Sequence, residues 1–221
     1  MQENPTIIIE PEKPANASVI WLHGLGADAN DFLPVIDQLD LPDSLNIRFI
    51  FPNAPVIPIT LNGGMSMQGW YDIIGIGPEY EEDKEGIEAS QQIVETLIER
   101  EWKKGITSDR IILIGFSQGG AVVLHTGTRH TQQLAAVLAL STYLPLRQSI
   151  DDELCSDQKM TPIVFMHGSE DTVVPISFAQ HSYYLLNKLS LNLKWYEYKM
   201  SHTVCLEQIN DINNLIVESL S

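Results

Sequence analysis

Five consecutive residues, Gly115-Phe116-Ser117-Gln118-Gly119, have the Gly-x-Ser-x-Gly spacing of a nucleophile elbow. They fall where an apolar run, Arg110 to Gly115 (RIILIG), gives way to a helical stretch from Ser117 to His130. The spacing has a steric reason. A serine in a strained strand-to-helix turn lifts its hydroxyl clear of the sheet, and flanking glycines let the two backbones approach where a Cβ would clash. A Gly-rich turn without chemistry is the competing reading, and the strand-to-helix setting weighs against it. A serine hydroxyl is a weak nucleophile, so it needs a base to take its proton and an acid to orient that base. With this elbow the chain order is Ser, then Asp or Glu, then His. Asp171 follows the strand-like Pro162 to His167 on a loop, with Glu170 as its competitor for the acid, and His202 lies on the loop Met200-Ser201-His202-Thr203. The catalytic expectation is therefore Ser117, Asp171 and His202.

The other five histidines fit less well. His125 and His130 fall within or at the end of the elbow's helix, His181 lies mid-helix, and His23 and His167 close strands just before glycines, where hydrogen bonding to nearby loops is the expected job. Attack on a carbonyl places negative charge on its oxygen, which calls for backbone N–H donors already aimed at it. One is the residue after the nucleophile, Gln118, at the positive end of the helix. The second comes from the loop after an earlier strand, His23-Gly24-Leu25-Gly26, where Leu25 is the candidate and a plain tight turn the alternative. No metal site is expected, because neither His23 with His167 nor Cys155 with Cys205 has ligand-pair spacing, and serine hydrolysis needs neither metal nor cofactor.

These residues must be held by a scaffold, and the pattern around them is that of alternating strands and helices. Ala17 to His23, Asn46 to Phe51, Arg110 to Gly115, Leu134 to Leu140 and Pro162 to His167 are short apolar runs suited to a sheet covered on both faces. Leu193 to Lys199 alternates like a half-exposed or edge strand. Helices are expected at Asn30 to Leu39, capped by Asn30 or Asp31 with Pro34 in the first turn, and at Lys84 to Lys104, Ser117 to His130, Ile176 to Leu189 and Val204 to Leu220. The stretch from Pro52 to Asp83 is rich in apolar residues without sustained periodicity, and a structureless segment of that length is usually functional. The implied architecture is one α/β domain over residues 1–221 with a mostly parallel sheet.

Composition narrows the partners. The 221 residues carry 13 Lys plus Arg against 29 Asp plus Glu, a formal charge of −16 that repels nucleic acid and anionic lipid. The two cysteines and the polar start Met1-Gln2-Glu3-Asn4-Pro5 point to a cytoplasmic protein with no stable membrane insertion.

Taken together, the motifs resemble the small carboxylesterase and acyl-protein thioesterase family of the α/β-hydrolase superfamily. The likeness covers nearly the whole chain: Trp21-Leu22-His23-Gly24-Leu25-Gly26-Ala27-Asp28, Phe51-Pro52-Asn53-Ala54-Pro55, Asn62-Gly63-Gly64-Met65, Gly69-Trp70-Tyr71-Asp72-Ile73, Gly115 to Ala121, Leu140-Ser141, Tyr143-Leu144-Pro145, and His167-Gly168 with Asp171, Val173, Val174 and Pro175. It implies a minimal α/β-hydrolase without a large cap domain, the triad Ser117, Asp171 and His202, and oxyanion donors Leu25 and Gln118. It departs at Thr142, where a Gly of a Ser-Gly-Tyr-Leu-Pro segment is expected, and at Ser201, where a Gly usually precedes the histidine. Near the presumed site, such changes would narrow the pocket or stiffen the base loop.

The expected function is cleavage of short-to-medium acyl carboxylic esters or thioesters through an acyl-enzyme on Ser117. A lysophospholipase or a dedicated protein depalmitoylase is the alternative within the class, and a non-catalytic ligand-binding pseudo-hydrolase the alternative outside it. Substrates would be acyl esters or thioesters, including S-acylated proteins or lysophospholipids, and the enzyme would be a monomer or homodimer. The acyl chain is expected along the apolar loop, with Leu25 and Trp70 as walls and Trp70, Met65 and Ile76 as substrate-binding residues; burial of these side chains in the core is the competing reading.

Overall fold

The computed structural model describes residues 6–75 and 81–221. In chain order the strands are β1 (Ile7–Ile9), β2 (Ala17–Leu22), β3 (Ile47–Phe51), β4 (Val56–Ile59), β5 (Met65–Gln68), β6 (Ile111–Phe116), β7 (Ala136–Leu140), β8 (Ile163–Gly168) and β9 (Leu193–Tyr198). The helices are α1 (Leu33–Ile36), α2 (Lys84–Lys103), α3 (Gln118–Arg129), α4 (Ile150–Glu153), α5 (Ile176–Lys188) and α6 (Leu206–Leu220).

Seven strands form the main sheet in the order β1-β3-β2-β6-β7-β8-β9. All neighbours are parallel except β1, which runs antiparallel to β3 at one edge. The period-2 alternation of side chains divides each buried strand between two cores. Ile20 and Leu22 of β2 join Leu113, Val137 and Phe165 beneath α2, α3 and α5. Val19 and Trp21 face the other way, with Ile112, Ile114, Leu138 and Met166, and are covered by α6 and the Phe32–Val35 region. Because both faces are covered, β2, β6, β7 and β8 read as continuous apolar runs. β9 is the other edge, and its alternating sequence LKWYEY is partly exposed accordingly.

The chain steps outward from β2 to β3 and then returns to lay β6 on the other side of β2. Ligands of open α/β sheets bind beyond the strand carboxyl ends at such a reversal. The loops after β2 and β6, which carry Leu25 and Ser117, meet there.

Three expectations change. The helix expected at Asn30 to Leu39 shrinks to the single turn of α1. The Asp28 carboxylate accepts hydrogen bonds from the Asn30 backbone and side-chain N–H groups, and Gln38 and Leu39 donate to carbonyls three residues back rather than four. Local side-chain bonding thus competes with helix at this polar stretch. The Pro52 to Asp83 stretch is not structureless: β4 and β5 pair antiparallel, from Val56 opposite Gln68 to Ile59 opposite Met65. Gly63 and Gly64, at φ 67° and 78°, turn the hairpin, and Pro58 is tolerated because a two-stranded sheet consists of edges. The short β1 and α4 add to the elements expected from the sequence. Among the described residues no helix is long and apolar enough to cross a membrane.

Candidate active site

Ser117 stands between β6 and α3 at φ 54° and ψ −118°, a conformation a side-chain-bearing residue adopts only when its surroundings over-determine it. Its N–H donates to the Leu140 carbonyl at 2.9 Å, and its own carbonyl accepts from the Ala121 N–H at 3.0 Å. The flanking glycines have the anticipated steric role. A Cβ on Gly119 would lie 2.5 Å from the His23 carbonyl oxygen and 2.7 Å from that of Leu22, and one on Gly115 would run into the Gly119 carbonyl.

The structure brings the three expected side chains into one hydrogen-bonded chain. His202 Nδ1–H donates to Asp171 Oδ2 at 2.7 Å, which leaves Nε2 to accept from the Ser117 hydroxyl at 2.9 Å. The Asp171 carboxylate is fully buried, and its other oxygen accepts the N–H groups of Val173 and Val174 at 2.9 and 2.8 Å. Glu170, its competitor, is exposed. The acid and base loops are tied together through Ser169 N–H to the Tyr198 carbonyl and Glu170 N–H to that of Met200. The ring of Phe116 lies 4.7 Å from that of His202 and limits its tilt.

The structure adds His167, whose Nε2–H donates to the Val174 carbonyl at 2.9 Å and lies 3.5 Å from Asp171 Oδ2. It thus braces the acid's loop, and burial lowers its pKa. His23 donates from Nδ1 to the Gly24 carbonyl and accepts the Ala54 N–H at Nε2, and burial lowers its pKa too. Both histidines do the loop bonding expected of them. His125 and His130 are buried within the fold, and His181 is exposed.

Leu25 and Gln118 are held by one segment at the end of β5. Gly26 N–H donates to the Gln68 carbonyl at 2.8 Å, while Gly69 lies against Leu25, whose Cδ1 would be 3.0 Å from any Cβ there. The Gln118 side chain accepts the Trp70 N–H at 2.9 Å and donates to the Tyr71 carbonyl at 2.6 Å. Among the described residues neither the Leu25 nor the Gln118 N–H has an acceptor in the protein. This clamp joins residues 48 and 47 positions apart, and local spacing carries no signal for it.

Of the three expected substrate residues, the two described ones lie apart. Trp70 is buried, with its indole N–H donating to the His23 carbonyl at 2.9 Å. Met65, 64% exposed, lies at the turn end of the hairpin. Ile76 lies outside the described residues. Met67, rather than Met65, faces the Leu25 loop, with its Sδ 3.7 Å from where a Gly26 Cβ would stand. A cleft of about 320 Å³ between the hairpin and α2 has Pro55, Ile57, Trp70 and Ile93 in its lining together with Asp72 and Asp83. A wider concavity between residues 40–42 and α6 contains none of these groups.

The two departures sit differently in the fold. Thr142 is 1% exposed, with its methyl directed at Gly120. Ser201 is exposed, and its carbonyl accepts the Thr203 N–H.

Comparison with known proteins agrees with this geometry. Residues 3–220 match the family model described as phospholipase/carboxylesterase. The chain is 36% identical to an acyl-protein thioesterase 1 of Neurospora crassa, covering all of this chain and 94% of that one. It is 34% identical to the acyl-protein thioesterase 1 of Yarrowia lipolytica, with 100% and 99% covered. The crystal structure of Zea mays acyl-protein thioesterase 2 superposes with a TM-score of 0.89 at 25% identity, covering 98% of this chain and 99% of the other. The chain belongs to the phospholipase/carboxylesterase family and has the α/β-hydrolase fold.

Proposed function

We propose that this protein hydrolyses carboxylic esters and thioesters of short-to-medium acyl chains through an acyl-enzyme on Ser117. The observation that carries the reading is the continuous hydrogen-bonded chain from the Ser117 hydroxyl through His202 to the buried Asp171 carboxylate. In the first step His202 Nε2 takes the hydroxyl proton as Oγ bonds to the acyl carbon. The negative charge then on the carbonyl oxygen is met by the N–H groups of Leu25 and Gln118. His202 returns the proton to the departing alkoxide or thiolate, which leaves the acyl group on Ser117. A water deprotonated by His202 releases it as a carboxylic acid and restores the serine. Asp171 fixes the imidazole tautomer and stabilises its cation, and Val173 and Val174 keep the carboxylate oriented.

The acyl chain would run past Leu25 toward the hairpin, with Trp70 behind and Met65 at the outer end. A dedicated depalmitoylase is the second reading, favoured by the relatives named acyl-protein thioesterase. Unpaired Cys155 and Cys205 suit a reducing compartment, and we place the enzyme in the cytoplasm on that ground. Turnover of nitrophenyl esters from acetate to palmitate, alongside matched thioesters, tests the reading. The expected profile peaks at medium chains and shifts when Met65 is replaced by alanine. No turnover of any ester or thioester would refute it.

A further inference from the structure

The last residue of β7 and the segment just after it hold both backbone groups of Ser117. The Leu140 carbonyl accepts the Ser117 N–H at 2.9 Å, and two residues later the Thr142 hydroxyl donates to the Ser117 carbonyl at 2.7 Å. That carbonyl belongs to the same peptide unit as the Gln118 N–H, one of the two oxyanion donors proposed above. The direction of the Thr142 hydroxyl is set by its methyl. A Cβ on Gly120 would stand only 2.7 Å from Thr142 Cγ2, so the methyl occupies space that this glycine leaves open. With Thr142 1% exposed, bulk water cannot take the place of its hydroxyl.

We propose that Thr142 is a positioning residue for the oxyanion hole: its hydroxyl holds and polarises the Ser117–Gln118 peptide, so that the Gln118 N–H is aimed at the oxyanion and is a stronger donor. The inference rests on Ser117 being the nucleophile. Two physical effects contribute. A second donor on the carbonyl helps hold Ser117 at φ 54° and ψ −118°, and that torsion sets the plane of the peptide. Hydrogen bonds in series also polarise one another, so a donor on the C=O strengthens the N–H at the other end of the peptide. The Ser117 carbonyl keeps the Ala121 N–H without Thr142, so loss of the hydroxyl leaves it bonded and costs the fold little.

Threonine, serine and valine at this position separate the hydroxyl from the methyl. Removing a whole oxyanion donor costs roughly 10² to 10³ in kcat, so weakening one should cost about tenfold. Thr142→Val, which keeps the shape and loses the donor, is expected to lower kcat/KM about tenfold with little change in Tm. Its affinity for a trifluoromethyl ketone, which forms a tetrahedral adduct on the serine, should fall in parallel. Affinity for an unreactive alkyl amide of the same chain should stay constant. Thr142→Ser should recover most of the loss. Wild-type kcat/KM and ketone affinity in Thr142→Val would overturn the proposal, as would equal losses in the Val and Ser variants, which would assign the residue to packing alone. Fluorophosphonate labelling of the unaltered protein is run in parallel. Absence of label on Ser117 would remove the nucleophile reading and this inference together, whereas a labelled Ser117 with an unaffected Thr142→Val overturns this inference alone.

Discussion

Replacing Gly119 by alanine would place a methyl group where the first turn of α3 touches the end of β2. The new Cβ would lie 2.5 Å from the His23 carbonyl oxygen, 2.7 Å from the Leu22 carbonyl oxygen and 2.8 Å from the Leu22 carbonyl carbon. All three are backbone atoms, so no side chain can rotate away. Ordinary contact begins near 3.4 Å, and the two elements must therefore separate by about 3.4 − 2.5 = 0.9 Å. Alanine in place of glycine in a helix would by itself gain roughly 0.5–1 kcal/mol, and overpacking costs roughly 1–3 kcal/mol, so a modest net loss of stability is expected. The catalytic loss should be larger. Gln118 and Ser117 lie on one side of the gap and the Leu25 loop on the other, so the two proposed oxyanion donors move apart, and a misplacement of about 1 Å can cost on the order of 10²-fold in rate. Steady-state hydrolysis of a nitrophenyl ester together with thermal unfolding reads both quantities. Gly105→Ala is the control, because Gly105 has φ 93° with open space around it at the far end of α2, and its substitution should lower Tm without changing kcat. A Gly119→Ala enzyme with near-normal kcat would refute the claim that this contact sets the geometry of the site.

Two further predictions concern titrating groups. Asp171→Asn should keep the fold and reduce kcat by roughly 10⁴-fold, because an amide favours the wrong imidazole tautomer; a mild effect, with Glu170→Gln severe, would move the acid by one residue. His125 is buried against Gln91, with Nδ1 lacking a partner among the described residues, and burial followed by the nearby Arg129 lowers its pKa from 6.5 to about 3. The unfolded chain therefore binds a proton that the folded protein refuses between those values, and stability should fall as pH drops from about 6.5 toward 3, by at most about 5 kcal/mol from this group. Urea unfolding across that range should show a shallower decline for His125→Leu than for the unaltered protein, and parallel curves would disprove the assignment.

The geometry of the candidate site is legible in the sequence because it rests on local signals. An elbow of fixed spacing, an Asp one loop beyond β8 and a His one loop beyond β9 sit where an open sheet collects its loops, and the buried strands announce themselves as apolar runs. The hairpin is hard to read from sequence because strands of four residues, one containing Pro58, are too short to show alternation, although Asn62-Gly63-Gly64 is a usable turn signal. The first helix is shorter than its cap residues and Pro34 suggest because the Asp28 side chain captures the backbone at Asn30. The clamp from Gln118 to Trp70 and Tyr71, and the bond from Thr142 to the Ser117 carbonyl, join residues far apart in the chain. Thr142 could be seen as a departure, but its burial and the direction of its hydroxyl depend on the packing of β7 beside α3.

Mass analysis of the protein trapped during turnover of a medium-chain nitrophenyl ester tests the central claim most directly. One acyl group should appear, confined to the peptide that contains Ser117, and both the adduct and the hydrolysis should vanish in Ser117→Ala. An adduct on Ser141 or Ser169, or hydrolysis that survives Ser117→Ala within a few fold, would contradict it.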